Sequence, residues 1–204
     1  MPQVVEIETP HGPAHAHVHR ADEPRAALAL GHGAGGGVEA PDLVAATGAA
    51  LEAGFSVALV EQPYRVSGRR SPAPAKQLDA AWTAVVGRLR QNELSDLPLV
   101  VGGRSLGARV ACRTVAATGA AAVLCLAFPL LPPRRKGPPQ SRLPELEAVE
   151  LPMLVVQGES DQFGMPPGSS TREVVKVPGN HSLRKDVDAV AAAVSGWLAA
   201  LRIG

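Results

Sequence analysis

The sequence predicts an α/β protein: a mostly parallel sheet of about eight strands with helices on both faces. Three observations support this. Short runs of Val, Leu and Ala recur along the chain with little polar alternation, as in strands buried on both faces. Stretches with apolar residues at helical spacing fall between those runs. The chain is 46% hydrophobic and only 19% charged, so its 204 residues can build a core without disulfides or a structural metal. It is expected to form a single domain over residues 1–204.

The first two strands are expected at residues 4–8 and 14–20. Only Thr9-Pro10-His11-Gly12-Pro13 separates them, which suits a hairpin. The later apolar runs predict strands at 26–30, 55–60, 97–101, 121–128, 153–157 and 173–177. Leu43, Ala46, Ala50 and Leu51 form a helical stripe that starts near Pro41-Asp42. Leu78, Ala81, Trp82, Val85, Val86 and Leu89 form a second stripe, and Val187, Val190, Val194, Trp197, Leu198 and Leu201 a third. A short helix is expected after Ser105, where Gly107, Ala108 and Ala111 are small enough to pack closely on the sheet. Residues 129–144, PLLPPRRKGPPQSRLP, cannot be a helix interior or a central strand. They are expected to run as an extended surface connection, with Arg134, Arg135 and Lys136 solvated or, as the alternative, in contact with an acidic partner or substrate.

Composition excludes several function classes. A net charge of +1 leaves no electrostatic footprint for nucleic acid or an anionic membrane, and 3% aromatic residues do not make a base-stacking platform. No basic segment followed by an apolar stretch marks an N-terminal signal, and no run of about 18 apolar residues offers a membrane span. Cys112 and Cys125 lack metal or redox spacing and are expected to be buried, reduced thiols. The expected setting is cytoplasmic.

Chemistry enters at Gly103-Arg104-Ser105-Leu106-Gly107, which matches G-x-S-x-G after an apolar strand. A nucleophile on a strained strand-to-helix turn needs very small neighbours two residues to either side, so that the backbone segments can approach. A serine hydroxyl also needs a base to take its proton. Of six histidines only His181 follows Ser105, in the loop sequence VPGNHSL. The acid belongs between them at a strand end, where LVVQGESDQF offers Asp161, with Glu159 as its competitor. The expected triad is Ser105, Asp161 and His181.

The stretches GHGAGG, GGRSLGARVA, LPMLVVQGESDQFG and PGNHSL, in that order, resemble the α/β-hydrolase superfamily. Within it the chain looks like a small lidless group, similar to dienelactone hydrolases and to the testis-expressed-thirty type of domain. The resemblance implies an α/β-hydrolase fold with no separate lid domain. Dienelactone hydrolases often use cysteine as nucleophile, so the serine at position 105 keeps their substrate from carrying over. Some relatives of the second type belong to chromatin complexes, which keeps a catalytically silent binding or scaffold role as the alternative.

The segment LALGHGAGGG has two readings. Gly31-His32-Gly33-Ala34-Gly35-Gly36 satisfies the dinucleotide pattern G-x-G-x-x-G, and Glu61 sits where a ribose-binding acid belongs. A dinucleotide helix begins inside that pattern, however, whereas here GGGVEAP intervenes. The second reading is an oxyanion loop, in which the Ala34 and Leu106 N–H groups converge on a reacting carbonyl oxygen. On that reading His32 shapes the loop and Glu61 either supports it or is a plain strand-end carboxylate.

His15, His17 and His19 share one strand face and read as the exposed face of an early, edge-proximal antiparallel strand rather than a metal site, since no carboxylate or thiolate completes a ligand set. Arg104 either orients a substrate carboxylate, couples to an acid near the site, or simply packs against or hydrogen-bonds to loops, and Arg109 lies one helical turn on. Tyr64 and Phe163 are candidates for the substrate pocket; Phe128 suits pocket or core equally. The expected activity is that of a serine esterase working through an acyl-enzyme on a small ester or thioester. No cofactor or metal is required.

Overall fold

In the computed structural model, which describes residues 2–133 and 140–203, eight strands join one sheet. They are β1 (Gln3–Ile7), β2 (Ala14–His19), β3 (Ala26–Gly31), β4 (Phe55–Glu61), β5 (Leu99–Arg104), β6 (Ala122–Leu126), β7 (Met153–Gly158) and β8 (Arg172–Val177). Their spatial order is β1-β2-β4-β3-β5-β6-β7-β8. β1 and β2 form the expected antiparallel hairpin, β2 runs antiparallel to β4, and every pairing from β4 to β8 is parallel. Six helices connect them: α1 (Pro41–Glu52), α2 (Pro63–Val66), α3 (Ala75–Gln91), α4 (Leu106–Thr118), α5 (Leu143–Glu147) and α6 (Val187–Ala200).

The two-residue period of each strand divides the core into two layers. On β3, Ala27 and Ala29 face a cluster that contains Leu78, Trp82, Val85 and Leu89 of α3 and Ala108 and Ala111 of α4. Ala26, Leu28 and Leu30 face the opposite layer, with Leu43 and Ala46 of α1 and Val190, Val194 and Leu198 of α6. Parallel strands covered on both sides need no polar alternation, so β3, β6 and β7 are buried along their whole length. Cys112 and Cys125 are buried and unlinked, their sulfurs 3.7 Å apart. The neighbouring Cys112 thiol and burial push the Cys125 thiol well above the usual range.

The sequence expectations differ from the structure in a few places, each for a local reason. β5 runs three residues further than expected, through Gly102, Gly103 and Arg104, because its partners β3 and β6 continue the ladder past the apolar run. β6 stops at Leu126, and Ala127 turns the chain with φ 49°. The short α2 has no apolar stripe to reveal it. α5 begins inside the segment expected to be extended, with proline in its first turn, where the missing N–H costs nothing. The basic run Arg134, Arg135, Lys136 lies outside the described residues. No helix among the described residues is long and apolar enough to cross a membrane, and none of the described elements forms a separate lid domain.

Leu124, fully buried at the centre of β6, is expected to lose about 3 kcal/mol of stability on replacement by Ala. The same change at exposed Val44 should move stability by no more than about 0.5 kcal/mol. Urea denaturation of the two variants checks both values.

Candidate active site

β3, β5 and β7 are parallel, so their carboxyl ends open on one edge of the sheet, where α/β proteins build their sites. Ser105 sits there, between β5 and α4, with φ 52° and ψ −104°. A non-glycine residue in that region is strained, and the surroundings hold it there. The Ser105 N–H donates to Leu126 O at 2.9 Å, and its carbonyl accepts from the Arg109 N–H at 3.2 Å, which starts α4. Both motif glycines are sterically required. A Cβ on Gly103 would lie 2.5 Å from Gly31 O and 2.7 Å from the Gly107 carbonyl carbon, and one on Gly107 would collide with the Gly31 carbonyl.

His181 reaches the serine from the loop after β8. Its Nε2 lies 2.9 Å from Ser105 Oγ and its Nδ1 2.8 Å from Asp161 Oδ2. An ionised carboxylate only accepts, so Nδ1 carries the proton and the Nε2 lone pair faces the serine hydroxyl. Asp161 is fixed on both oxygens: Oδ2 accepts from Gln157 Nε2 at 2.8 Å and Oδ1 from the Phe163 N–H at 2.8 Å. Its side chain is fully buried. The Phe163 ring meets the His181 ring edge to face, with centroids 4.5 Å apart. Glu159, the competing acid, is exposed and takes no part in this chain of bonds.

The glycine loop after β3 is braced from beneath. His32, almost fully buried, donates from Nδ1 to Gly33 O at 2.8 Å and accepts at Nε2 from the Gln62 N–H at 3.1 Å. Both nitrogens are thus satisfied by neutral imidazole, and burial lowers its pKa below the ordinary 6.5. Tyr64 Oη donates to Ala34 O at 3.1 Å. A cavity of about 330 Å³ opens above the serine, and Ser105, His181, Ala34, Leu106, Phe163 and Arg104 all line it.

The fold has relatives. The family model described as "Alpha/beta hydrolase domain" matches residues 24–186. The chain belongs to that family. Among solved structures, the domain is similar to XC6422 from Xanthomonas campestris, an a/b serine hydrolase without lid. The TM-score is 0.76 at 18% identity, covering 96% of this chain and 93% of that one. Est1E from Butyrivibrio proteoclasticus superposes with a TM-score of 0.75 at 15% identity, covering 95% and 96%. A dienelactone hydrolase from Anabaena variabilis does so with 0.76 at 16% identity, covering 97% and 96%. At these identities the likeness is one of fold. Comparison with curated proteins finds no match.

Within this α/β-hydrolase domain several expected residues have other positions or partners. Tyr64 does not line the cavity over Ser105; it is buried against the underside of the glycine loop and borders a separate cavity beside α2 and α3. Burial pushes its hydroxyl up to about 12. Arg104 lines the serine cavity but is committed to protein partners. Its Nε donates to Asp42 Oδ2 at 3.0 Å and its Nη2 to His181 O at 3.1 Å. Gly33 leaves room for the rest of this guanidinium, since a Cβ there would lie 2.6 Å from Nη1. Asp42, fully buried in the first turn of α1, also accepts from the Leu43 N–H, and desolvation raises its pKa despite the arginine. Phe128 is fully buried in the core.

The histidine face of β2 also differs. The register sets Glu6, His15 and Glu61 side by side across three strands, so carboxylates remote in sequence meet these histidines. His17 Nε2 lies 3.1 Å from Glu61 Oε2. Glu61 is therefore a strand-end carboxylate paired with β2. No cluster among the described residues has the arrangement of a metal site.

Sequence reasoning missed Asp42, Gln62 and Gln157. Each is a polar residue at the end of a strand or the start of a helix, and only the fold brings it beneath the site.

Protonation of His32 would turn its Nε2 from acceptor to donor, facing the Gln62 N–H. Its pKa is lowered in the folded chain, so the unfolded chain takes up this proton first as pH falls. The stability this group contributes is complete above pH 6.5 and is lost as pH falls below that toward the lowered folded value. Urea unfolding of wild type and His32→Gln at about pH 8 and about pH 5.5 measures this. Wild type should lose stability relative to the variant at the lower pH; a difference independent of pH would contradict it.

Proposed function

We propose that this domain is a carboxylesterase-like serine hydrolase acting on a small ester or thioester through an acyl-serine. The observation that carries the reading is the unbroken relay of Asp161, His181 and Ser105, at 2.8 and 2.9 Å, opening into a cavity that also exposes Ala34 and Leu106.

In the first half-reaction, His181 Nε2 takes the Ser105 proton as Oγ bonds to the substrate carbonyl carbon. The carbonyl π electrons move onto the oxygen. Asp161 stabilises the imidazolium through its hydrogen bond to Nδ1. The tetrahedral intermediate collapses, the bond to the leaving oxygen or sulfur breaks, and His181 returns the proton to that group. Water then repeats the sequence against the acyl-serine, with His181 again first base and then acid, releasing the carboxylic acid.

The Leu106 and Ala34 N–H groups serve as the oxyanion donors in this reading. Leu106 opens α4, where the first N–H groups have no acceptor within the helix, so the helix end adds favourable partial charge. Loss of one such donor typically costs about 3 kcal/mol of barrier. Arg104 acts as a positioning residue, tying the elbow to the His181 carbonyl and to Asp42. A 330 Å³ cavity is at the small end for ligand sites, which favours a short acyl chain. The esterase and dienelactone hydrolase among the structural neighbours support the class of reaction and leave the substrate open.

Kinetics on p-nitrophenyl esters of increasing chain length test the reading. Ser105→Ala and His181→Ala should each lower kcat/KM by at least about 1,000-fold. Arg104→Gln should lower kcat about 10-fold with KM little changed, and Arg104→Lys should not rescue it, because one ammonium cannot span both partners. No turnover of any ester by wild type would remove the enzymatic reading and favour a binding module.

A further inference from the structure

Three arginines, Arg104, Arg109 and Arg142, line the cavity over Ser105, and no carboxylate does among the described residues. Two of the three are compensated. Arg104 is paired with buried Asp42 at 3.0 Å. Arg109 makes a two-pronged contact with Glu145, Nε to Oε2 at 2.9 Å and Nη2 to Oε1 at 2.6 Å. Arg142 has no ion pair among the described residues. Its Nη1 donates to the carbonyls of Pro129 and Leu131, at 3.1 and 3.5 Å, which aims the side chain without neutralising it.

The carboxylates nearby are already shared. Glu145 also faces Arg113 Nη1 at 3.7 Å, and Asp79 is taken by the other edge of Arg113. Among the described residues, Arg109, Arg113 and Arg142 therefore stand against Glu145 and Asp79, three guanidiniums to two carboxylates, which leaves one positive charge uncancelled there. Burial, with Arg109 and Arg113 nearby, lowers the pKa of Arg142 although Glu145 acts in the opposite direction.

We propose that the cavity over Ser105 takes an ester bearing one carboxylate, and that Arg142 holds that carboxylate while Ser105 meets the ester carbonyl. This inference rests on the esterase reading above and names its substrate class. The one uncompensated charge among the described lining residues matches a monoanion, and the planar guanidinium fork matches the two oxygens of a carboxylate. The cavity is short, so the carboxylate belongs to the same small molecule as the ester, on either its acyl or its alcohol side.

Matched ester pairs test the proposal. Mono-p-nitrophenyl glutarate against p-nitrophenyl pentanoate puts the charge on the acyl side, and para-acetoxybenzoate against para-acetoxybenzamide puts it on the alcohol side. In wild type, kcat/KM for the anionic member of one pair should exceed that of its neutral partner by on the order of 10-fold, since hydrogen bonds to charged groups are the stronger ones. That ratio should fall as salt is raised. In Arg142→Gln it should collapse toward one, whatever the variant does to both members alike, and Arg142→Lys should keep part of it. Equal turnover within both pairs, or a preference that survives Arg142→Gln, would overturn the proposal.

Calorimetric binding of monomethyl glutarate and dimethyl glutarate to the Ser105→Ala protein reads the same cation without turnover. Tighter binding of the monoester, lost when Arg142→Gln is added, supports the proposal; equal binding overturns it. An inert wild type would thus sink the esterase reading, while this measurement still decides the role of Arg142.

Discussion

Gly31, Gly103 and Gly107 meet at the ends of β3 and β5 and the start of α4 with no room for a Cβ on either motif glycine, and the rest of the site depends on that contact. It lets α4 start directly against the sheet, which leaves the connecting residue no ordinary backbone conformation. Ser105 takes up the strain at φ 52°, a conformation that typically costs about 1–3 kcal/mol and persists only where packing enforces it. The result is a serine between β5 and α4, followed at once by the start of a helix, whose first N–H groups have no acceptor within the helix. Gly31 also directly precedes His32, so the same contact sets where the glycine loop departs. A single close approach thereby positions the Ser105 hydroxyl and both segments that border it.

A layer of buried polar side chains holds those segments in register. His32 ties the glycine loop to the end of β4, Tyr64 props the next carbonyl of that loop, Gln157 fixes Asp161, and Arg104 links the elbow to the histidine loop and α1. Buried polar groups are costly unless paired, and these bonds run between elements far apart in sequence. They stabilise one arrangement of the loops against the alternatives that three consecutive glycines, Gly35 to Gly37, would otherwise allow. The Phe163 ring adds an apolar wall against the histidine, so the imidazole is held by both oriented bonds and packing.

Much of this was legible in the sequence because it is local. The apolar runs located all eight strands, and helical stripes located α1, α3 and α6. The G-x-S-x-G stretch carries its own steric logic, and chain order with a strand-end position pointed to His181 and to Asp161 over Glu159; the fold links Asp161 to His181 and His181 to Ser105. What was not legible depends on partners distant in sequence. The sequence left open whether Arg104 meets a substrate carboxylate or an acid near the site, because its partner Asp42 comes from 62 residues earlier on α1. Tyr64 reads as a pocket aromatic until α2 turns it under the glycine loop. The β2 histidines seem to lack carboxylates until the register sets Glu6 and Glu61 beside them. Arg142 stands in a segment that reads only as a proline-rich connection, and its charge matters only because its neighbours' charges are cancelled. Short elements such as α2 escaped because four residues carry no periodicity.

The central claim is that Ser105 is a nucleophile activated by His181. Its most direct test is reaction with a fluorophosphonate probe, followed by intact-mass measurement and peptide mapping. The account predicts one adduct, on the peptide containing Ser105, absent in Ser105→Ala and strongly slowed in His181→Ala. A folded wild-type protein that takes no label, or a label that persists unchanged in Ser105→Ala, would contradict it.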